Sequence, residues 1–234
     1  MTVKNSRHAK PSRLKSAQPH LQSRASITAP TPRPPENAER ELKVAFNRLM
    51  ESGVVWLWQR EKLPDVQLLG IAPEWPARLY RTASALYRNG ERLAAERWAR
   101  SCRHFATALW HEAKIAWLYD PSHPKDLDEY PNAQVEYQLH ETPDTTRDLI
   151  HDLEGRPLPV VPHELPGSYA QNWIEPIIRL ARKHLEQCQA QAGTFELVQC
   201  EHLKAAEEWA RTAEEISGAF AIETDSMIPS SKAA

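Results

Sequence analysis

Residues 79–118 constrain the fold more than any other stretch: LYRTASALYRNGERLAAERWARSCRHFATALWHEAKIAWL. Leu79, Ala83, Leu86 and Tyr87 fall at helical spacing. After Asn89-Gly90, a second run continues through Leu93, Ala95, Trp98, Cys102, Phe105, Leu109, Ala113 and Ala116. Steps of three and four residues draw one apolar stripe along a long helix, with Glu96, Arg100, Arg103, Thr107 and Lys114 on the opposite face. Glycine accepts the left-handed backbone that ends a helix, so Asn89-Gly90 predicts a tight stop between two helices. Asp120-Pro121 predicts the end of the second. The pattern demands a helical hairpin with a broad buried face.

Similar patterning recurs on both sides. Asn37, Leu42, Ala45, Phe46 and Leu49 predict a helix after Pro34-Pro35, with Gly53 as the point where it would kink or split. Ser168 and Gln171 form a capping-box pattern ahead of Trp173, Ile174, Ile177, Ala181, Leu185 and Cys188. Gly193-Thr194 marks another stop. Val198, His202, Ala206, Trp209, Ala213, Ile216 and Phe220 then form a last stripe, with fraying expected from Glu223. With 41% hydrophobic residues the chain can bury a core, and the class expected is all-α. The bundle should hold five or six helices over residues 36–221, followed by a disordered tail at 222–234.

Two segments stand apart by charge. Residues 1–35 carry seven Lys and Arg and no acid, with almost no large apolar group, which predicts a disordered basic tail. Such a tail is open to contact with nucleic acid through phosphate neutralisation, or to use as a targeting segment. Residues 120–156 reverse the balance, with ten acids against Lys125, Arg147 and Arg156. Eight prolines between Pro121 and Pro166 make 120–168 read as a long insert holding one short helix, with Thr142 as its cap and Leu149, Ile150 and Leu153 buried. Val135, Tyr137 and Leu139 alternate before that helix, as short extended segments do.

Three cysteines in helical pattern suit a reducing compartment, and no apolar run reaches membrane-spanning length. A soluble, intracellular and cytoplasmic protein is expected, with no membrane partner. There is also a sign of internal duplication. Ala94-Ala95-Glu96-Arg97-Trp98-Ala99-Arg100-Ser101 matches Ala205-Ala206-Glu207-Glu208-Trp209-Ala210-Arg211-Thr212 at six of eight positions. A true repeat would bury Trp98 and Trp209 equivalently.

No phosphate-binding glycine loop, nucleophile elbow, HExxH or paired CxxC occurs. His184 and Cys188 lie one helical turn apart, as two zinc ligands can. Cys200 and His202 diverge on a helix, and His202 falls on the apolar stripe as a core histidine would, so no metal and no cofactor are expected. Arg97, His104 and His111 recur at intervals of seven, which sets them in a row on one helix flank. Trp110 and Trp117 form a second apolar row with Ala99 and Ala106. Trp110, Trp117, Arg100 and His111 are the binding residues expected on this helix.

The hairpin pattern A-x-x-L-Y-x-x-G-x-x-x-A-A, followed by an Ala-rich helix, resembles the HEPN family of small helical bundles, and also a tetratricopeptide hairpin. The likeness covers about residues 79–118. The HEPN resemblance implies RNA binding or RNA cleavage across a dimer, with Arg97 and His104 in the catalytic roles. Their spacing is the widest the family pattern admits, and Trp98 stands where a polar residue often follows the arginine. The reading favoured is a non-enzymatic interaction or scaffold protein with a protein partner, open to homodimer formation.

Overall fold

A computed structural model describes residues 37–59, 74–119, 132–192 and 196–227. The basic tail at 1–35, Gly193-Thr194 and Asp120-Pro121 lie outside the described residues. Those described form α1 (Asn37–Gln59), α2 (Trp75–Arg88), α3 (Arg92–Tyr119), α4 (Asn132–Gly155), a 3-10 helix (Ser168–Trp173), α5 (Ile174–Ala190) and α6 (Glu196–Met227). No strand occurs among them. The protein is all-α, as its periodicity requires. None of the described helices is long and apolar enough to cross a membrane.

The α2–α3 hairpin turns where glycine permits it. Gly90 has φ +86°, the Gly90 N–H donates to Tyr87 O at 3.1 Å, and the Glu91 N–H donates to Leu86 O at 2.9 Å. These are the two bonds of a Schellman motif, which satisfies carbonyls that a helix end leaves open. α1 runs through Gly53 without interruption.

Helices α1, α2 and α3 pack together, α4, α5 and α6 do likewise, and α3 lies along α6. The core runs through both groups. Trp98, Phe105, Trp209 and Phe220 are fully buried. Trp98 meets Phe220 edge-on at 5.2 Å between ring centres, and Phe105 meets Trp209 edge-on at 4.8 Å. Aromatic pairs favour this geometry, positive edge against negative face. Trp75 stacks flat on Trp173 at 3.9 Å, beside Tyr169, whose hydroxyl lies 2.8 Å from Thr82 Oγ1. This cluster ties the start of α2 to the 3-10 helix.

Several local expectations are corrected. The insert is not one short helix in a loop: α4 starts at Asn132, and Pro143 lies inside it. Residues 135–139 are therefore helical rather than extended. Proline removes one backbone bond from a helix interior, but Ile150 and Leu153 further along are buried, and tertiary packing outweighs that loss. The capping box at Ser168 does not form. Ser168 Oγ donates to His163 O and Gln171 Nε2 to Pro159 O, so both side chains hold the preceding loop instead. Pro176 sits in the first turn of α5, where its missing N–H costs no helical bond. At the other end, α6 runs past residue 221 to Met227 with Glu223 buried, so 222–227 belong to the bundle.

Candidate functional site

A chain of ionisable side chains lies along the contact of α3 with α6, and α1 and α5 cover its flanks. The two helices are antiparallel: partners on α6 descend in number as those on α3 rise. Trp98 Nε1–H donates to Glu223 Oε1. Arg97 pairs with Glu215 at 2.8 Å. Arg100 pairs with Glu96 and lies 3.8 Å from both Glu41 of α1 and Glu215. Arg103 reaches Glu41 at 2.8 Å. Further along, His104 Nδ1–H donates to Glu208 at 2.6 Å and His111 Nδ1–H to Glu201 at 2.5 Å. The seam ends in a buried network. Glu112 Oε1 accepts from His184 Nε2–H at 2.5 Å and from Trp209 Nε1–H at 3.1 Å, and His184 Nδ1 lies 2.9 Å from His202 Nδ1.

The seam has an internal symmetry. A step of 111 residues carries Trp98 to Trp209 and Glu112 to Glu223. Trp98 donates to Glu223, and Trp209 donates to Glu112. The same step carries Arg97 to Glu208 and His104 to Glu215, and the observed pairs are Arg97–Glu215 and His104–Glu208. Both of these contacts are exchanged across a local two-fold relation, with acid and base interchanged in the second pair. Antiparallel packing gives this reciprocity by itself, because numbers rise along one helix as their partners fall along the other. The matched segments 94–101 and 205–212 lie on α3 and α6, and each buries its tryptophan.

Burial would raise the Glu201 carboxyl, but the His111 hydrogen bond and charge, with Lys114 and Lys204 at 3.8 and 3.7 Å, bring it down to about 2. A carboxyl lowered from its ordinary 4.5 adds stability above that value and loses it as pH falls towards 2. The shift corresponds to about 3 kcal/mol. Glu201→Gln should therefore flatten the acid limb of the stability curve between these pH values, as followed by denaturant unfolding. An acid limb as steep in the variant as in wild type refutes this assignment.

The residues singled out in the sequence are brought into different surroundings. Arg97 and His104 line no open basic cleft: each faces a carboxylate of α6, and His104 is buried. Arg100 and His111 lie within the ion-pair seam rather than on a presented surface. Trp110 and Trp117 are half-buried, with Lys114 Nζ over the Trp110 ring at 5.8 Å, while Ala99 and Ala106 of the same row are covered. All four side chains are half-buried along one flank of α3. Their helix is surrounded by α1, α2 and α6, which takes up its polar side as well as its apolar stripe.

Of the cysteine and histidine set, His184 and His202 do meet, and His202 is the hydrogen-bonded core histidine its position in the stripe implies. Among the described residues, no group of three or more His, Cys, Asp or Glu is placed to hold a metal ion. Cys102, Cys188 and Cys200 are buried, and none forms a disulfide. Burial pushes the Cys102 thiol up to about 12 and the Cys188 thiol up to about 11, values at which neither is a ready nucleophile. No family model, curated protein or solved structure matches the chain.

Periodicity missed the acids of the seam. Glu112, Glu201, Glu215 and Glu223 are all buried, though a charged residue on a helix reads by default as solvated. One signal was available: Glu112 and Glu223 each sit fourteen residues after a tryptophan of the matched segments, Trp98 and Trp209.

Proposed function

We propose that this chain is a non-enzymatic helical interaction protein. The observation that carries the reading is the state of Arg97 and His104. Acid–base work on RNA needs an imidazole within reach of a bound ribose and a cation aimed at the developing charge. Here both side chains are engaged by Glu215 and Glu208. A phosphate would have to displace carboxylates already in place and would meet their charge. The outer face of α1, by contrast, presents Phe46 and Met50, which are 46% and 57% exposed one turn apart. Apolar anchors at i and i+4 are how a helix engages a protein partner.

Two measurements test this. RNA should not be cleaved by wild type or by His104→Gln at matched purity. Cleavage by wild type that vanishes in a folded His104→Gln variant overturns the proposal in favour of the nuclease reading. A Phe46→Glu/Met50→Glu variant should keep the wild-type Tm and lose the complexes that wild type forms, with itself or with another protein, by cross-linking. Complexes retained undiminished by that variant overturn the role of α1.

A further inference from the structure

Leu79-Tyr80-Arg81 recurs seven residues later as Leu86-Tyr87-Arg88. Seven residues are nearly two helical turns, so the triplets repeat on the same faces of α2 about 10 Å apart. Leu79 and Leu86 are fully buried, Tyr80 and Tyr87 are half-buried, and Arg81 and Arg88 are exposed. Both guanidinium groups take the same pose. Arg81 Nε–H donates to Ala77 O at 3.3 Å, and Arg88 Nε–H donates to Ser84 O at 3.2 Å. Arg78, one turn before Arg81, is also exposed and lies 4.3 Å above the Tyr169 ring centre. The three cations follow one edge of α2 over about 15 Å.

These arginines have no acid to answer them. Even the exposed Arg48 of α1 and Arg147 of α4 pair with a carboxylate on their own helix, at 2.8 and 2.7 Å. Among the described residues, no carboxylate pairs with Arg78, Arg81 or Arg88, and α2 itself contains no Asp or Glu. Glu74 and Glu91 bracket the helix, and Arg92 follows Glu91 directly. In a chain of net charge −2, α2 thus carries a local row of positive charge. Each arginine is already held in place, by a carbonyl of its own helix or by an aromatic ring, which lowers the ordering cost of binding.

We propose that this edge of α2 binds single-stranded nucleic acid, with phosphates on Arg78, Arg81 and Arg88 and bases stacked on the rings of Tyr80 and Tyr87 beside them. A planar guanidinium offers paired donors that fit phosphate oxygens. An acidic peptide would also neutralise the row, but it has no use for an aromatic ring next to each arginine, whereas every base has a face to stack. A duplex keeps its base faces within its own stack, so the rings select a single strand. Binding here requires no protein at Phe46 and Met50 of α1, and either role holds without the other.

Fluorescence anisotropy of the full chain with a labelled oligothymidylate of about 12 nucleotides tests the assignment. Saturable binding is expected, tighter than that of a duplex of the same length. Each phosphate contact to a single strand contributes about 0.7 to the slope of log affinity against log salt, so Arg81→Gln/Arg88→Gln should flatten it by about 1.4. The basic residues of 1–35 are common to both chains and cancel in that difference. Tyr87→Leu should weaken binding at least about fivefold at an unchanged slope, as loss of stacking without loss of charge does. Absence of saturable binding, a duplex bound as tightly as the strand, a slope undiminished in the double arginine variant, unchanged affinity in Tyr87→Leu, or displacement of the strand by polyglutamate at equal charge overturns the proposal.

Discussion

Truncation of Trp98 or Trp209 to Ala should each lower the unfolding free energy by about 3–5 kcal/mol, the range for a fully buried large aromatic. Both rings are completely buried, and each loses an edge-on aromatic partner as well as its packing. The two losses should not be equal. Trp209→Ala leaves Glu112 still accepting from His184, whereas Trp98→Ala leaves both oxygens of Glu223 without a protein donor. Trp98→Ala should therefore be the more destabilising by about 1 kcal/mol or more. Denaturant unfolding at constant m-value measures both. A loss below about 1 kcal/mol at either tryptophan would contradict its place in the core.

Gly167→Ala should destabilise through a single added methyl group. A Cβ at 167 would fall 2.0 Å from Trp98 Cζ2 and 2.6 Å from Cη2. The backbone of Gly167 has φ −95°, which any residue can adopt, so the requirement for glycine is the indole against it and not its conformation. The ring cannot retreat, because Phe220 lies across it and Glu223 holds its N–H. Overpacking of this kind costs about 1–3 kcal/mol and moves the backbone where it cannot be relieved. The effect should couple to the ring: in a Trp98→Phe background, the shorter side chain leaves room, and Gly167→Ala should cost less than it does alone. Strict additivity of the two substitutions would show that they do not touch.

Some elements were legible because their cause is local. The hairpin at 79–118, the stop at Asn89-Gly90 and the last stripe from Val198 to Phe220 follow from spacing and from glycine's access to positive φ, and the structure has all three. α4 shows the limit of local signals. Thr142-Pro143 is a good start sequence, but the helix begins at Asn132. Ser168 and Gln171 likewise have the residue types of a capping box and spend their hydrogen bonds on the loop at 159–163. A side chain that can cap can also bond a nearer carbonyl, and the choice depends on what the fold brings close.

The sequence alone determined the helical class, the apolar stripes and the burial of Trp98 and Trp209, because period and composition act over a few turns. Only the tertiary structure decided the fate of the charges. Arg97, Arg100, His104 and His111 form a solvated flank when α3 is considered by itself. Enclosed by α1 and α6, Arg97, His104 and His111 are matched with Glu215, Glu208 and Glu201, and Arg100 with Glu96 and Glu41. A charge withdrawn from water needs a partner within hydrogen-bond reach, and the partners on α6 lie 90 to 118 residues away along the chain. The unanswered oxygen of Glu223 arises at that same level, where two helices distant in the chain meet.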